Sequence, residues 1–154
     1  MAITVQIELE RSFSVPMDIE AVFALLSDVP ESGKHFPKVD KLTHMGDNCY
    51  RWELNKIGIG DYSIQTGYAC KYVSDAKKHT IEWTPIKGEG NGIVAGKWTL
   101  KKDGKDTHLD FHSTAEVTLP LPGLLKMVLS PIVKMEFTAL ADTYIKNLKG
   151  ALSD

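Results

Sequence analysis

Cysteine is scarce in this chain, with only Cys49 and Cys70 among 154 residues. The N-terminus, MAITVQIELE, alternates polar and apolar residues and so lacks the hydrophobic block of a secretory signal. Two free thiols in a reducing, cytoplasmic setting are expected. Long apolar runs are missing too, and none reaches the roughly 18 residues needed to span a bilayer. Neither sign of charge is in excess: 18 basic against 20 acidic residues leave a net charge of −2. That excludes nucleic acid as the main partner, because a polyanion is held by a basic face that displaces counterions. The lysine-rich KKDGK at 101–105 reads as a solvated turn. Linkers, repeats and low-complexity tracts are lacking, so residues 1–154 are read as a single domain.

Signatures of catalysis are equally thin. There is no Gly-x-Ser-x-Gly elbow, and neither cysteine has a recognisable histidine partner in sequence. His108, Asp110 and His112 share one face of a strand, but same-face neighbours lie about 6.6 Å apart along it. Three such groups converge poorly on one ion, so they are read as surface residues and no metal is assigned. KGEGNG at 87–92 is the one stretch with the look of a phosphate loop. Its lysine precedes the glycines, however, and IVAGKWTL after them has the pattern of a strand where a phosphate loop needs a helix. No cofactor is expected.

What is present is periodicity. Ile3, Val5, Ile7, Leu9, Arg11, Phe13 and Val15 occupy one face of a long strand, with Arg11 alone interrupting the apolar row. Pro16 opens a short helix whose buried side carries Ile19, Val22, Phe23 and Leu26, and residues 30–36 read as a second, broken turn of helix. From Val39 to Leu119 alternating segments are separated by turn signals at 46–48, 74–77 and 103–106. Their inner faces include Tyr50, Trp52 and Leu54; Ile64, Thr66, Tyr68, Cys70 and Tyr72; Ile81 and Trp83; Val94, Gly96, Trp98 and Leu100; and Leu109, Phe111, Ser113, Ala115 and Val117. After LPLP at 119–122 the period becomes helical, through Val133, Phe137, Leu140, Tyr144 and Leu148. A helix of about 18 residues spans about 27 Å and needs an apolar surface of similar length. A curved antiparallel sheet wrapped around it supplies one, so the fold class is α+β. Pro131, within the apolar stretch that precedes this stripe, is expected to break or kink a helix there.

This order, with VPMDIEAVFALLSD after the first strand, FPKVDKL at 36–42 and YIKNLKGAL near the end, resembles the START/Bet v 1-like helix-grip superfamily. KIGIGDYSIQ and GEGNGIVAGKWTL look most like its members related to the G subunit of carbon monoxide dehydrogenase; polyketide cyclases and coenzyme-Q-binding proteins are further relatives. The resemblance implies a curved seven-stranded antiparallel sheet around a long C-terminal helix, two short helices after the first strand, and a cavity between sheet and helix. It implies an apolar or amphipathic ligand and carries over no catalytic residue. It also implies that the glycine-rich loop borders the cavity opening.

The resulting expectation is a protein that binds or transfers a hydrophobic small molecule, lipid-, isoprenoid- or quinone-like, without chemistry of its own. The expected lining is Trp52, Ile64, Tyr68, Trp83, Trp98, Phe111, Val133, Phe137 and Leu140, with Arg11 or Ser113 as a polar anchor. Tyrosine hydroxyls and indole N–H groups need partners when buried, so several on one concave face suggest a space holding water or ligand. Two other readings stay open: a cyclase or aromatase using the same pocket, and an assembly factor for a redox enzyme. The stretch 121–135, apolar on nearly every side, suits a lid, a transient contact with a bilayer, or a buried linker packed on the first helix.

Overall fold

The alternating N-terminal segment folds as β1 (Ile3–Val15), and the whole strand pairs antiparallel with a strand far along the chain, from Ile3 opposite Leu119 to Val15 opposite Thr107. The computed structural model describes residues 3–59 and 62–153. After β1 come α1 (Ile19–Ser27) and α2 (Val29–Gly33), then β2 (Val39–Gly46), β3 (Cys49–Leu54), β4 (Ile57–Ile59), β5 (Tyr62–Ile64), β6 (Gly67–Asp75), β7 (Thr80–Ile86), β8 (Gly92–Asp103) and β9 (Asp106–Leu119). A 3-10 turn, Gly123–Leu125, leads into α3 (Lys126–Ala151). Seven strands form one antiparallel sheet in the order β1-β9-β8-β7-β6-β3-β2, as the alternation and the resemblance led one to expect.

Local chemistry accounts for the boundaries. Asp18 caps α1, its carboxylate accepting from the Glu20 N–H at 3.1 Å, and Asp28 caps α2 through the Glu31 N–H at 3.3 Å. The β2–β3 hairpin turns on Asp47 and Asn48, whose φ values of 47° and 60° are those a two-residue turn requires and that Asp and Asn tolerate. Two expectations need correction. The run from Ile64 to Tyr72 is not one strand: β4 and β5 pair only with each other, and β6 begins at Gly67. Gly60 and Asp61 of the KIGIGDYSIQ motif lie outside the described residues.

Pro131 neither breaks nor starts the last helix, which runs 26 residues from Lys126 through Ala151, about 39 Å. As the sixth residue, the proline removes the single hydrogen bond that would have ended on the Met127 carbonyl. Met127 and Pro131 are both exposed, so the lost bond falls on the solvent side of the helix.

The sheet's concave side and α3 enclose two hydrophobic clusters. The larger contains Phe13, Val15, Val22, Leu26, Trp52, Tyr68, Cys70, Trp83, Trp98, Phe111, Tyr144 and Leu148 among others. The smaller, at the start of α3, gathers Ile3, Val5, Ile7, Ile64, Val117, Leu119, Leu121, Leu129 and Val133.

Candidate functional site

A cavity of about 100 Å³ lies within the larger cluster, between the sheet's concave face, α2 and the middle of α3. Period-two alternation delivers its floor: Trp52 from β3, Tyr68 and Tyr72 from β6, Trp83 from β7, Trp98 from β8, and Phe111 and Ser113 from β9. Helical spacing delivers its roof, Phe137, Ala141 and Tyr144, at steps of four and three along α3. Ser32 and Gly33 of α2 and Phe36 just beyond it close the side.

The rings form a closed belt. Phe36 meets Trp52 at 5.8 Å between centroids, and the Trp52 indole N–H donates to the Tyr72 hydroxyl at 2.9 Å. Tyr72 meets Trp83 at 6.1 Å, Trp83 meets Phe111 at 5.9 Å and Phe111 meets Trp98 at 4.8 Å. Trp98 then meets Tyr144 at 6.4 Å, and Tyr144 returns to Phe36 at 5.3 Å. Such offset and edge contacts add roughly 0.5–1.5 kcal/mol each beyond the area they bury, so the belt is a stiff frame. Tyr68 stacks on Trp52 at 6.0 Å, with the ring planes 14° apart, and thickens one side.

The wall is neutral. None of the described residues lining it carries a carboxylate, an imidazole or an amine. Burial pushes the Tyr68 and Tyr72 phenols well up and the neighbouring Cys70 thiol up to about 12. Burial likewise raises Tyr144 to about 12, against hydrogen bonds from Ser32 and Trp98 that lower it. All these groups keep their protons at neutral pH. Ser32 Oγ and Tyr144 Oη are 2.5 Å apart, and Ser113 Oγ donates to the Ala95 carbonyl at 3.1 Å. The Tyr68 hydroxyl has no hydrogen-bond partner among the described residues, which leaves it available to a guest.

Of the residues expected to line the site, Trp52, Tyr68, Trp83, Trp98, Phe111, Ser113 and Phe137 are brought together around the cavity. Ile64 and Val133 are buried instead in the smaller cluster, and Leu140 is buried away from the lining. Arg11 does not line the cavity. β1 is an edge strand, so the long side chain curls over the edge, donating from Nε to Asp142 of α3 at 2.8 Å and from Nη1 to the Glu10 carbonyl at 2.8 Å. It fastens the helix to the sheet. His108 and His112 lie on the outer face, beside Asp110 at 3.2 Å and Glu8 at 3.0 Å. Ser32, Gly33 and Phe36 were missed because 30–36 carries no clear period; Tyr144, seven residues after Phe137 on the same helical face, did carry a signal.

The glycine-rich loop contributes nothing to the lining. Gly90 has φ 129°, and a Cβ there would sit 2.3 Å from the Gly67 carbonyl oxygen, so only glycine permits this approach. Asn91 ties the contact, accepting from the Gly67 N–H at 2.9 Å and donating to the Gln65 carbonyl at 3.0 Å.

One seam of the wall is held by polar contacts. Between the α2–β2 segment and α3 lie the Ser32–Tyr144 pair, the Asn147 amide donating to the His35 carbonyl at 2.9 Å, and Lys38 with Glu136 at 3.1 Å. The Lys38–Glu136 pair is exposed and worth less than about 1 kcal/mol. Phe36 and Phe137, the rings beside the seam, are only half-buried.

Comparison with known proteins bears on this architecture. No curated protein sequence matches the chain significantly. Solved structures similar to it include a protein of Thermus thermophilus (TM-score 0.74, 18% identity, covering 94% of this chain and 96% of that one). A START superfamily protein from Mycobacterium smegmatis gives 0.68 at 16% identity, covering 94% and 96%. The Zhui aromatase/cyclase from a Streptomyces species gives 0.61 at 14% identity, covering 96% and 91%. At these identities the likeness is one of fold. The family profile of CoxG, the G subunit of carbon monoxide dehydrogenase, matches residues 12–153, nearly the whole sequence. This chain, with its helix gripped by a seven-stranded sheet, belongs to the CoxG family.

Proposed function

We propose that the protein binds or transfers a hydrophobic small molecule, lipid-, isoprenoid- or quinone-like, in the cavity between sheet and α3. The observation that carries this reading is the closed aromatic belt around a neutral space. A rigid apolar frame with a few uncharged polar groups is the usual construction of a small-molecule site. Affinity comes from apolar area removed from water, at about 25 cal/mol per Å² before the costs of binding are deducted. Tyr68 supplies a hydroxyl for a carbonyl or hydroxyl on the guest. An ionised head group finds no counter-charge in this wall, so a neutral guest is favoured.

At about 100 Å³ the cavity is smaller than the roughly 300–1,000 Å³ of occupied ligand sites. Loading therefore involves the seam: Phe137, which lines the cavity but is not one of the belt's rings, moves aside once Lys38 releases Glu136. The alternative of a cyclase or aromatase is favoured by the fold shared with the Zhui aromatase/cyclase. It lacks a group in the described lining that exchanges protons near neutral pH.

Native mass spectrometry of the protein from a bacterial host, paired with solvent extraction, tests the reading. The expected result is an apolar adduct that disappears in Ala141→Trp, which fills the roof, while far-ultraviolet circular dichroism and the cooperativity of unfolding stay native. A wild-type protein whose native mass equals its sequence mass, with nothing extractable, overturns it.

A further inference from the structure

The outer face of the sheet, opposite the cavity, holds a set of metal-ligating groups that the spacing along β9 does not disclose. His108, Asp110 and His112 do not converge. His108 lies 3.2 Å from Ser14 and 3.2 Å from Asp110, whereas His112 turns across the ladder to β1. The register sets Glu10 directly opposite His112, and Glu8, opposite Thr114, on the adjoining diagonal. His112 Nε2 is consequently 3.0 Å from Glu8 Oε2 and 3.8 Å from Glu10 Oε1. The three ligand atoms lie within 4.8 Å of one another. Around a tetrahedral ion with bonds of about 2.1 Å, ligand atoms stand about 3.4 Å apart, so small rotations of two exposed carboxylates bring the set onto one centre. Spacing along a strand defeats three residues of β9, and it is bypassed when the imidazole reaches in from the neighbouring strand.

The charge balance favours a cation. Two carboxylates face one imidazole, so the group stays negative whether or not His112 carries a second proton. Among the described residues neither glutamate makes an ion pair with a lysine or arginine, and Lys97, opposite His112 on β8, pairs with neither. Arg11, the next residue of β1, is engaged by Asp142 and by the Glu10 backbone carbonyl. One imidazole nitrogen with two carboxylate oxygens suits zinc and its neighbours, whereas magnesium and calcium take oxygen ligands. Glu8 also borders a groove of about 370 Å³, where Gln6, Thr114 and Glu116 add further oxygen atoms.

We propose that Glu8, Glu10 and His112 bind one divalent ion of the zinc type, whose remaining positions open on water and on the groove. The site lies on the other face of the sheet from the cavity and stands without the ligand reading. Its three side chains meet only while β1 and β9 are in register, so binding stabilises the folded chain. The ion thereby secures the edge strand that also carries the Arg11–Asp142 clasp.

Titration of the tag-free, chelator-stripped full chain with zinc, by calorimetry and by thermal unfolding, provides the test. One ion per chain is expected, with a thermal midpoint that rises with zinc and that magnesium leaves unmoved. His112→Ala removes the nitrogen ligand and should weaken binding by at least the roughly tenfold that loss of an outer-shell partner already costs. Glu8→Gln/Glu10→Gln should weaken it at least as much. All three side chains are exposed, so both variants should stay close to the wild-type midpoint in chelator. His108→Ala, four residues along the same face, should bind zinc as the wild type does. Cobalt in place of zinc should perturb the nuclear magnetic resonance signals of Glu8, Glu10, His112 and Thr114 before those of other residues. Absence of zinc binding with an unmoved midpoint overturns the proposal and leaves an ordinary ion pair. So does undiminished binding by His112→Ala, or a loss in His108→Ala equal to that in His112→Ala, either of which places the ion elsewhere.

Discussion

The two hydrophobic clusters lie under one sheet and one helix, yet they are built from different side chains. The cluster at the start of α3 is aliphatic, with Phe137 at its border, and fills its space with interdigitating Ile, Val and Leu. The cluster under α2 and the middle of α3 holds the aromatic belt and the cavity. Branched aliphatic chains settle into whatever volume they share. Large flat rings that must also direct an N–H or O–H to a partner cannot, and they leave volume between them. The sheet therefore has a dry half that secures α3 and an open half that holds the cavity.

The largest effect expected from breaking this division is in the dry half. Leu119 is fully buried among aliphatic neighbours, and Leu119→Ala should cost about 2–5 kcal/mol in denaturant unfolding. Phe137→Ala removes more atoms from a half-buried wall of the cavity and should cost clearly less, because part of that surface already lacks packed neighbours. Equal losses would mean that the two halves are packed alike.

A smaller effect tests the stiffness of the belt. Gly96 lies beneath Trp83: a Cβ there would come within 2.3 Å of Trp83 Cζ2 and 2.7 Å of the His112 carbonyl oxygen. The carbonyl belongs to the β8–β9 ladder and cannot move aside, so Gly96→Ala must displace both strand and ring. About 1–3 kcal/mol of destabilisation is expected, with a changed near-ultraviolet signal from Trp83. An unaltered spectrum at wild-type stability would show the belt to be loose.

Most of the fold was legible because two periods carry it. The step of two in β1, β8 and β9 and the inward stripe of α3 identify which side chains face the core, and those determine the sheet and the gripped helix. The floor of the cavity follows from the same alternation, through Trp52, Tyr68, Trp83, Trp98 and Phe111. What was not legible depends on edges and breaks. Arg11 occupies an inward register, but whether it reaches a guest or turns over an edge depends on β1 being the last strand and on Asp142 lying across from it. Ser32, Gly33 and Phe36 are placed by a short capped helix without a period. Pro131 reads as a stop only until it is seen to lie on the exposed side of the helix, in its second turn. Residues 124–135 are visibly apolar on every side, but which side is covered is decided by tertiary packing.

The smallest effect, invisible at neutral pH, separates the halves by chemistry. The aliphatic cluster contains no ionisable group, whereas the aromatic one contains Cys70, Tyr68 and Tyr144. The Cys70 thiol donates to the Val94 carbonyl at 3.2 Å. It is fully buried, and that burial raises it from 9.0 to about 12. The folded protein therefore holds a proton that the unfolded chain has lost above 9.0. Stability from this source is complete below that pH and declines as pH rises toward 12, since the folded state then binds more protons than the unfolded. Tyr144, raised to about 12 by burial, acts in the same direction from 10.0 upward. Cys70→Ala should accordingly flatten part of the alkaline slope in unfolding free energy and leave it unchanged below pH 9.0, whereas Leu119→Ala should lower the whole curve without altering its slope. At neutral pH a thiol reagent should label the half-buried Cys49 in the native protein and reach Cys70 only after denaturant is added. Equal labelling rates for the two thiols would place water around Cys70, and the open half would then extend through the sheet behind the belt.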